Sequence, residues 1–103
     1  MSAPEALFAL QVRALGLPAP EREVALIPGR RYRWDFVFRA HRVAVEIQGG
    51  IWRKGGHSSG TGITRDCAKA NLATLAGFRT LFFTTGMVDS GLAIQTLKDV
   101  LEK

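Results

Sequence analysis

Tyr32-Arg33-Trp34-Asp35-Phe36-Val37-Phe38, then Arg39-Ala40-His41, then Arg42-Val43-Ala44-Val45-Glu46-Ile47-Gln48 is the stretch whose reading decides the fold. Trp34, Phe36 and Phe38 fall on one face of the first run, and Val43, Val45 and Ile47 on one face of the second. That period of two is the alternation of β-strands. A hairpin with its tip at Ala40 and His41, or a four-residue loop from Arg39 to Arg42, faces Phe38 with Val43 and Phe36 with Val45. The same register sets Asp35 opposite Glu46 and Arg33 opposite Gln48. A slip of one residue would face Asp35 with Val45 or Ile47 and spoil the apolar pairing. A slip of two stays open, because Ala-His lacks the Asn-Gly chemistry of a tight hairpin turn.

Upstream, a helix is expected from about Ala3 to Leu15, where Leu7, Phe8, Val12 and Leu15 recur at helical spacing. Ser2 and Glu5 have capping-box spacing, and Pro4 is tolerated in a first turn. Gly16 and Leu17-Pro18-Ala19-Pro20 end it, and Val24 to Ile27 reads as a short strand stopped by Pro28-Gly29. Downstream, Gly49 to Gly60 is a glycine-rich loop carrying Trp52, Arg53, Lys54 and His57. A second helix from about Gly62 to Ala76 closes at Gly77, where a left-handed residue is wanted. Phe78 to Thr84 is an apolar strand, and after Gly86-Met87 a last helix covers about Val88 to Leu101. The order αβββαβα predicts an α/β (α+β) fold. Its mixed sheet is antiparallel in its first half, flanked by helices, in one domain over residues 1–103. The helical crossover makes the third and fourth strands parallel if they are neighbours.

A chain of 103 residues closes one hydrophobic core, and its 47% hydrophobic and 22% charged content is that of a globular domain. No apolar run reaches the roughly 18 residues of a membrane span. No basic region precedes an apolar stretch at the N-terminus, so a secretory leader is not expected. Cys67 is the single cysteine, which excludes an internal disulfide and a cysteine-cluster zinc site. Among alanines on a helix it reads as a small buried residue. A cytoplasmic or nucleoid-associated protein is the expectation. The net charge of +5 favours a polyanionic partner, nucleic acid above all. Arginine forks suit phosphate geometry, although arginine-rich usage equally reflects a GC-rich genome.

Directly opposed residues of a sheet have Cβ atoms about 4.5–5.5 Å apart. Two carboxylates at that distance repel unless something positive lies between them. If Asp35 and Glu46 share the polar face of a half-buried sheet, a divalent cation resolves the repulsion, and oxygen ligands suit Mg²⁺ or Mn²⁺. The competing reading makes both acids solvent-facing partners of Arg33, Arg30 or Arg42.

The two strand runs, one carrying Asp35 and the next carrying Glu46-Ile47-Gln48-Gly49, resemble the hairpin of the PD-(D/E)XK nucleases, whose pattern is an aspartate followed by Glu-x-Lys. The likeness is greatest to small phage and bacterial enzymes similar to Holliday junction resolvases and very-short-patch-repair endonucleases. It covers roughly Arg30 to Thr85, through a loop histidine, a helix with Asp66 and Lys69, and Gly77-Phe78-Arg79-Thr80-Leu81.

The resemblance implies a restriction-endonuclease-like core and a metal-dependent DNA endonuclease using Mg²⁺ or Mn²⁺. Its metal ligands would be Asp35, Glu46 and the main-chain carbonyl of Ile47. Gln48 departs from the pattern by standing where the lysine should be; it can orient a water by hydrogen bonds but carries no charge. Lys69 could supply that charge, unless it only pairs with Asp66 on the helix surface. Glu5 resembles a first-helix glutamate of resolvase-like members, although its capping-box position explains it as well. His57 is a candidate for contact with the scissile phosphate or for proton transfer. Arg30, Arg31, Arg33, Arg53, Lys54 and Arg65, with Trp52 and His57, are the candidate DNA contacts. The partner expected is DNA, branched forms included, and symmetric cutting of two strands calls for a homodimer. A nicking, repair or degradative nuclease of the same fold, or an inactive basic nucleic-acid-binding module, are the alternatives.

Overall fold

Phe36 pairs with Val45, Val37 with Ala44 and Phe38 with Val43 in an antiparallel ladder, the register expected from the apolar alternation. The computed structural model describes residues 2–48 and 60–103. The ladder joins β2 (Trp34–Phe38) to β3 (Val43–Gln48). A 3-10 turn at Arg39–His41 connects them, closed by Arg42 in the left-handed region at φ 54°. It is the four-residue form of the hairpin loop.

The chain begins with α1 (Ala3–Ala14), with Ser2 at its N-cap. Beyond the hairpin come α2 (Gly60–Leu75), β4 (Arg79–Thr84), α3 (Thr85–Ser90) and α4 (Leu92–Leu101). With β1 (Glu21–Val24) the sheet order is β1-β2-β3-β4; β4 runs parallel to β3 and the other pairs are antiparallel. The mixed sheet and the flanking helices are those expected.

Helices cover both faces. Phe36, Phe38, Val43, Val45, Ile47 and Phe83 pack with Phe8 and Val12 of α1, Val88 of α3, and Ala93 and Leu97 of α4. The Phe8 and Phe36 rings meet edge to face at 5.0 Å between centroids. On the other face Val37 and Ala44 lie with Trp34 against Ala73 of α2. Burying each large side chain contributes about 1.5–3 kcal/mol. The expected polar face is therefore absent. Val37 and Ala44 are fully buried there, and Asp35 and Glu46 at one end of the strands are half-buried.

Four further expectations are corrected. β1 lies at Glu21–Val24, ahead of the apolar run Val24 to Ile27; Val24, Leu26 and Ile27 instead pack around Trp34 as a connector. Trp34 does not pack with Phe36 but with Val37, Ala44 and Ala73, beside Glu23 of β1, which is in the left-handed region at φ 51°. The last helix is two, broken at Gly91 with φ 88°. Cys67, expected to be buried, is exposed on α2. Among the described residues no helix is long and apolar enough to cross a membrane.

Candidate functional site

Toward the end that carries Asp35 and Glu46 the β2–β3 ladder changes character. Past Phe36 and Val45 the backbone N–H of Asp35 donates to Glu46 Oε2 at 2.9 Å, and that of Ile47 donates to Asp35 Oδ2 at 2.7 Å. Each carboxylate takes the place of a backbone acceptor for the facing strand. Both are thereby held in one orientation, a consequence of the register that paired them.

Lys69 reaches this pair from α2. Its Nζ donates to Glu46 Oε1 and to the Arg33 carbonyl, and lies 5.1 Å from the centre of the Trp34 ring. It turns inward, with 14% of its side chain exposed, and does not pair with Asp66 on the surface. Burial pushes the Glu46 carboxyl above its ordinary range, and the Asp35 charge adds to this, while Lys69 and the Asp35 N–H oppose it. Two of the alternative partners of the acids are engaged elsewhere. Arg33 donates to the Glu23 carbonyl and Arg42 to the Ala76 carbonyl, and among the described residues no ion pair joins Asp35 or Glu46 to Arg30, Arg33 or Arg42.

Glu5 enters from α1. Its backbone N–H donates to Ser2 Oγ at 3.3 Å, one half of the capping box, but its carboxylate turns toward Arg22 Nη2 at 3.8 Å. Burial and then the Asp35 charge raise its pKa, against Ser2 and Arg22. Glu5, Asp35 and Glu46 thus line one open pocket of about 470 Å³, with Ile47, Gln48 and Lys69. Arg31, Arg33 and Arg65 line it too, whereas Arg30 does not. Trp52, Arg53, Lys54 and His57 lie outside the described residues.

Three contributors escaped the sequence reading. Asp66 lines the pocket because it shares a helix face with Lys69 three residues on, so the inward turn of the lysine brings it along. Tyr32 packs edge to face against Trp34 and forms part of the wall. Arg22 carries no local signal; only the pairing of β1 with β2 places it beside Glu5.

The donor set fits a hard divalent cation. Among the described residues no three His, Cys, Asp or Glu side chains converge closely enough to enclose a metal. Mg²⁺ does not need such a cage, since it takes one or two carboxylates and fills its octahedron with water and phosphate oxygens. Asp35 and Glu46 side by side, repelling each other before an open pocket, supply that.

No family model matches the sequence, and no curated protein does either. The structure is similar to a solved one, the catalytic domain of the homing endonuclease I-Bth0305I. The TM-score is 0.73 and the identity 12%, over 97% of this chain and 94% of that one. The chain has the fold of a nuclease catalytic domain, across almost its whole length.

Proposed function

We propose that the protein is a Mg²⁺- or Mn²⁺-dependent DNA endonuclease of the PD-(D/E)XK type, selective for branched DNA and acting as a homodimer. The observation that carries this reading is the Asp35–Glu46 pair, each acid held by a backbone N–H of the opposite strand, with the Lys69 ammonium on Glu46. A bound divalent ion would supply Lewis acidity and a water of lowered pKa. Asp35 and Glu46 would hold it, helped by the Ile47 carbonyl. Lys69 provides the fixed positive charge that Gln48 lacks, and Gln48, on the same pocket wall, orients water through its amide. Arg31, Arg33 and Arg65 present guanidinium groups to the phosphates flanking the scissile bond. A basic binder without catalysis gives no reason for four carboxylates, Glu5, Asp35, Glu46 and Asp66, in an arginine-lined pocket, where they repel phosphate.

The test is cleavage of labelled four-way junction, flap, nicked and linear duplex DNA, with Mg²⁺, Mn²⁺ or EDTA, by wild type and Asp35→Asn. The asparagine keeps an acceptor for the Ile47 N–H, so the fold persists while activity falls by roughly 100-fold or more. Junction cutting supports the resolvase reading, and cutting of flaps or linear duplex transfers the same site to repair or degradation. Binding without cleavage of any substrate, in either metal, refutes the enzyme.

A further inference from the structure

We propose that Arg22 is a positioning residue that holds the Glu5 carboxylate in the pocket from outside its lining, as Lys69 holds Glu46 from the other face of the sheet. The inference rests on the nuclease reading of that pocket. Arg22 pairs with Phe36 across β1 and β2, and its guanidinium carbon lies 4.2 Å from the centre of the Phe36 ring. Its side chain is 29% exposed, and Nη2 stands 3.8 Å from Oε1 of Glu5, itself 17% exposed. Nε and Nη2 are buried and lack a hydrogen-bond partner.

Stability does not account for such a residue. Buried donors without a hydrogen-bond partner on a partly buried guanidinium oppose folding, and a leucine or methionine at the same register would cover Phe36 without that cost. A cation beside Glu5 and outside the pocket has a use if the Glu5 carboxylate must be held at the pocket wall that it shares with Asp35. The two cations come from opposite layers. Lys69 lies on the α2 side with Trp34, and Arg22 on the α1 side with Phe36. Lys69 lines the pocket beside Glu46, whereas Arg22 stands outside its lining.

The experiment compares wild type, Arg22→Met, Arg22→Lys, Glu5→Gln and the Arg22→Met/Glu5→Gln double variant, all in the full chain. Arg22→Met keeps the apolar cover on Phe36 and should fold; Arg22→Gln replaces it if it does not. The expected result is a kcat lowered roughly tenfold or more with KM for DNA little changed. Arg22→Lys should restore part of the loss, and Arg22→Met should add nothing to Glu5→Gln. Wild-type kcat in Arg22→Met, or additive losses in the double variant, overturns the proposal. A second readout does not depend on cleavage. In ¹³C-carboxyl NMR of glutamate-labelled protein, the resonance that Glu5→Gln removes should shift in Arg22→Met. If it stays put, Arg22 does not hold Glu5. A wild type that cuts no DNA refutes the nuclease reading, and the Glu5 resonance then decides the pairing alone.

Discussion

Lys69 delivers its ammonium to Glu46 from a helix, whereas the Glu-x-Lys pattern would place it two residues along the same strand, at Gln48. The charge can move because electrostatic stabilisation depends on where the ammonium sits and not on which element carries it. Lys69→Met should therefore lower cleavage by on the order of 100-fold, whereas Gln48→Ala, which removes no charge, should do less; single-turnover rates on one substrate compare them. The raised Glu46 and Glu5 carboxyls give a second prediction. A folded pKa above the unfolded one favours folding at acid pH, and that contribution is lost as pH rises through the raised value. Toward neutral pH both ionised acids oppose folding, and a divalent ion offsets this. Mn²⁺ should raise Tm more at about pH 7.5 than at about pH 5, and Asp35→Asn should suppress most of the gain. Equal shifts at the two pH values would mean that these acids do not bind the ion.

At the scale of elements, ends and breaks follow from backbone chemistry. Gly77 closes α2 in a Schellman motif, with the N–H groups of Phe78 and Gly77 donating to the carbonyls of Ala73 and Thr74 at 2.9 Å each. That stop was legible from glycine after an apolar helical run. Gly91, which divides α3 from α4, was not, since Val88 to Leu101 keeps a helical rhythm across it. Its φ of 88° breaks the helix, and no atom lies within 4 Å of a Cβ built there. Gly91→Ala should then cost backbone strain alone, about 1–2 kcal/mol, seen as a Tm lower by roughly 5–10 °C with cleavage per folded molecule unchanged. β1 was displaced for a related reason. The run Val24 to Ile27 has the composition of a strand, but composition reports burial as readily as pairing, and here those side chains are buried around Trp34 without a ladder beyond Val24.

For the molecule as a whole, a net charge of +5 coexists with a pocket that gathers carboxylates. Arg31, Arg33, Arg65 and Lys69 balance the four carboxylates of that lining, so positive groups stand beside the acids. If the arginines meet DNA phosphates, affinity should fall linearly with salt on logarithmic axes. Arg65→Ala should reduce that slope by about one and weaken all DNA forms alike, measured by anisotropy with Ca²⁺ or without metal so that nothing is cut. An unchanged slope would remove Arg65 from the interface. Loss confined to junctions would make it a selectivity residue instead.

What the amino-acid sequence determined alone is whatever depends on period and parity within neighbouring segments. Side chains alternate every residue in a strand and apolar pairs admit one parity, which sets Asp35 and Glu46 on the same face. The observed Phe36–Val45 register then chose among slips of two residues. Tertiary packing decided what no period encodes. The seating of α2, with Ala73 against the face that carries Ala44 and Val37, turned Lys69 toward Glu46 and brought Asp66 to the pocket rim. The pairing of β1 with β2 set Arg22 over Phe36 beside Glu5. Those contacts join residues far apart in the chain. Their geometry comes from how layers of side chains interlock, a property of the folded core that local spacing does not carry.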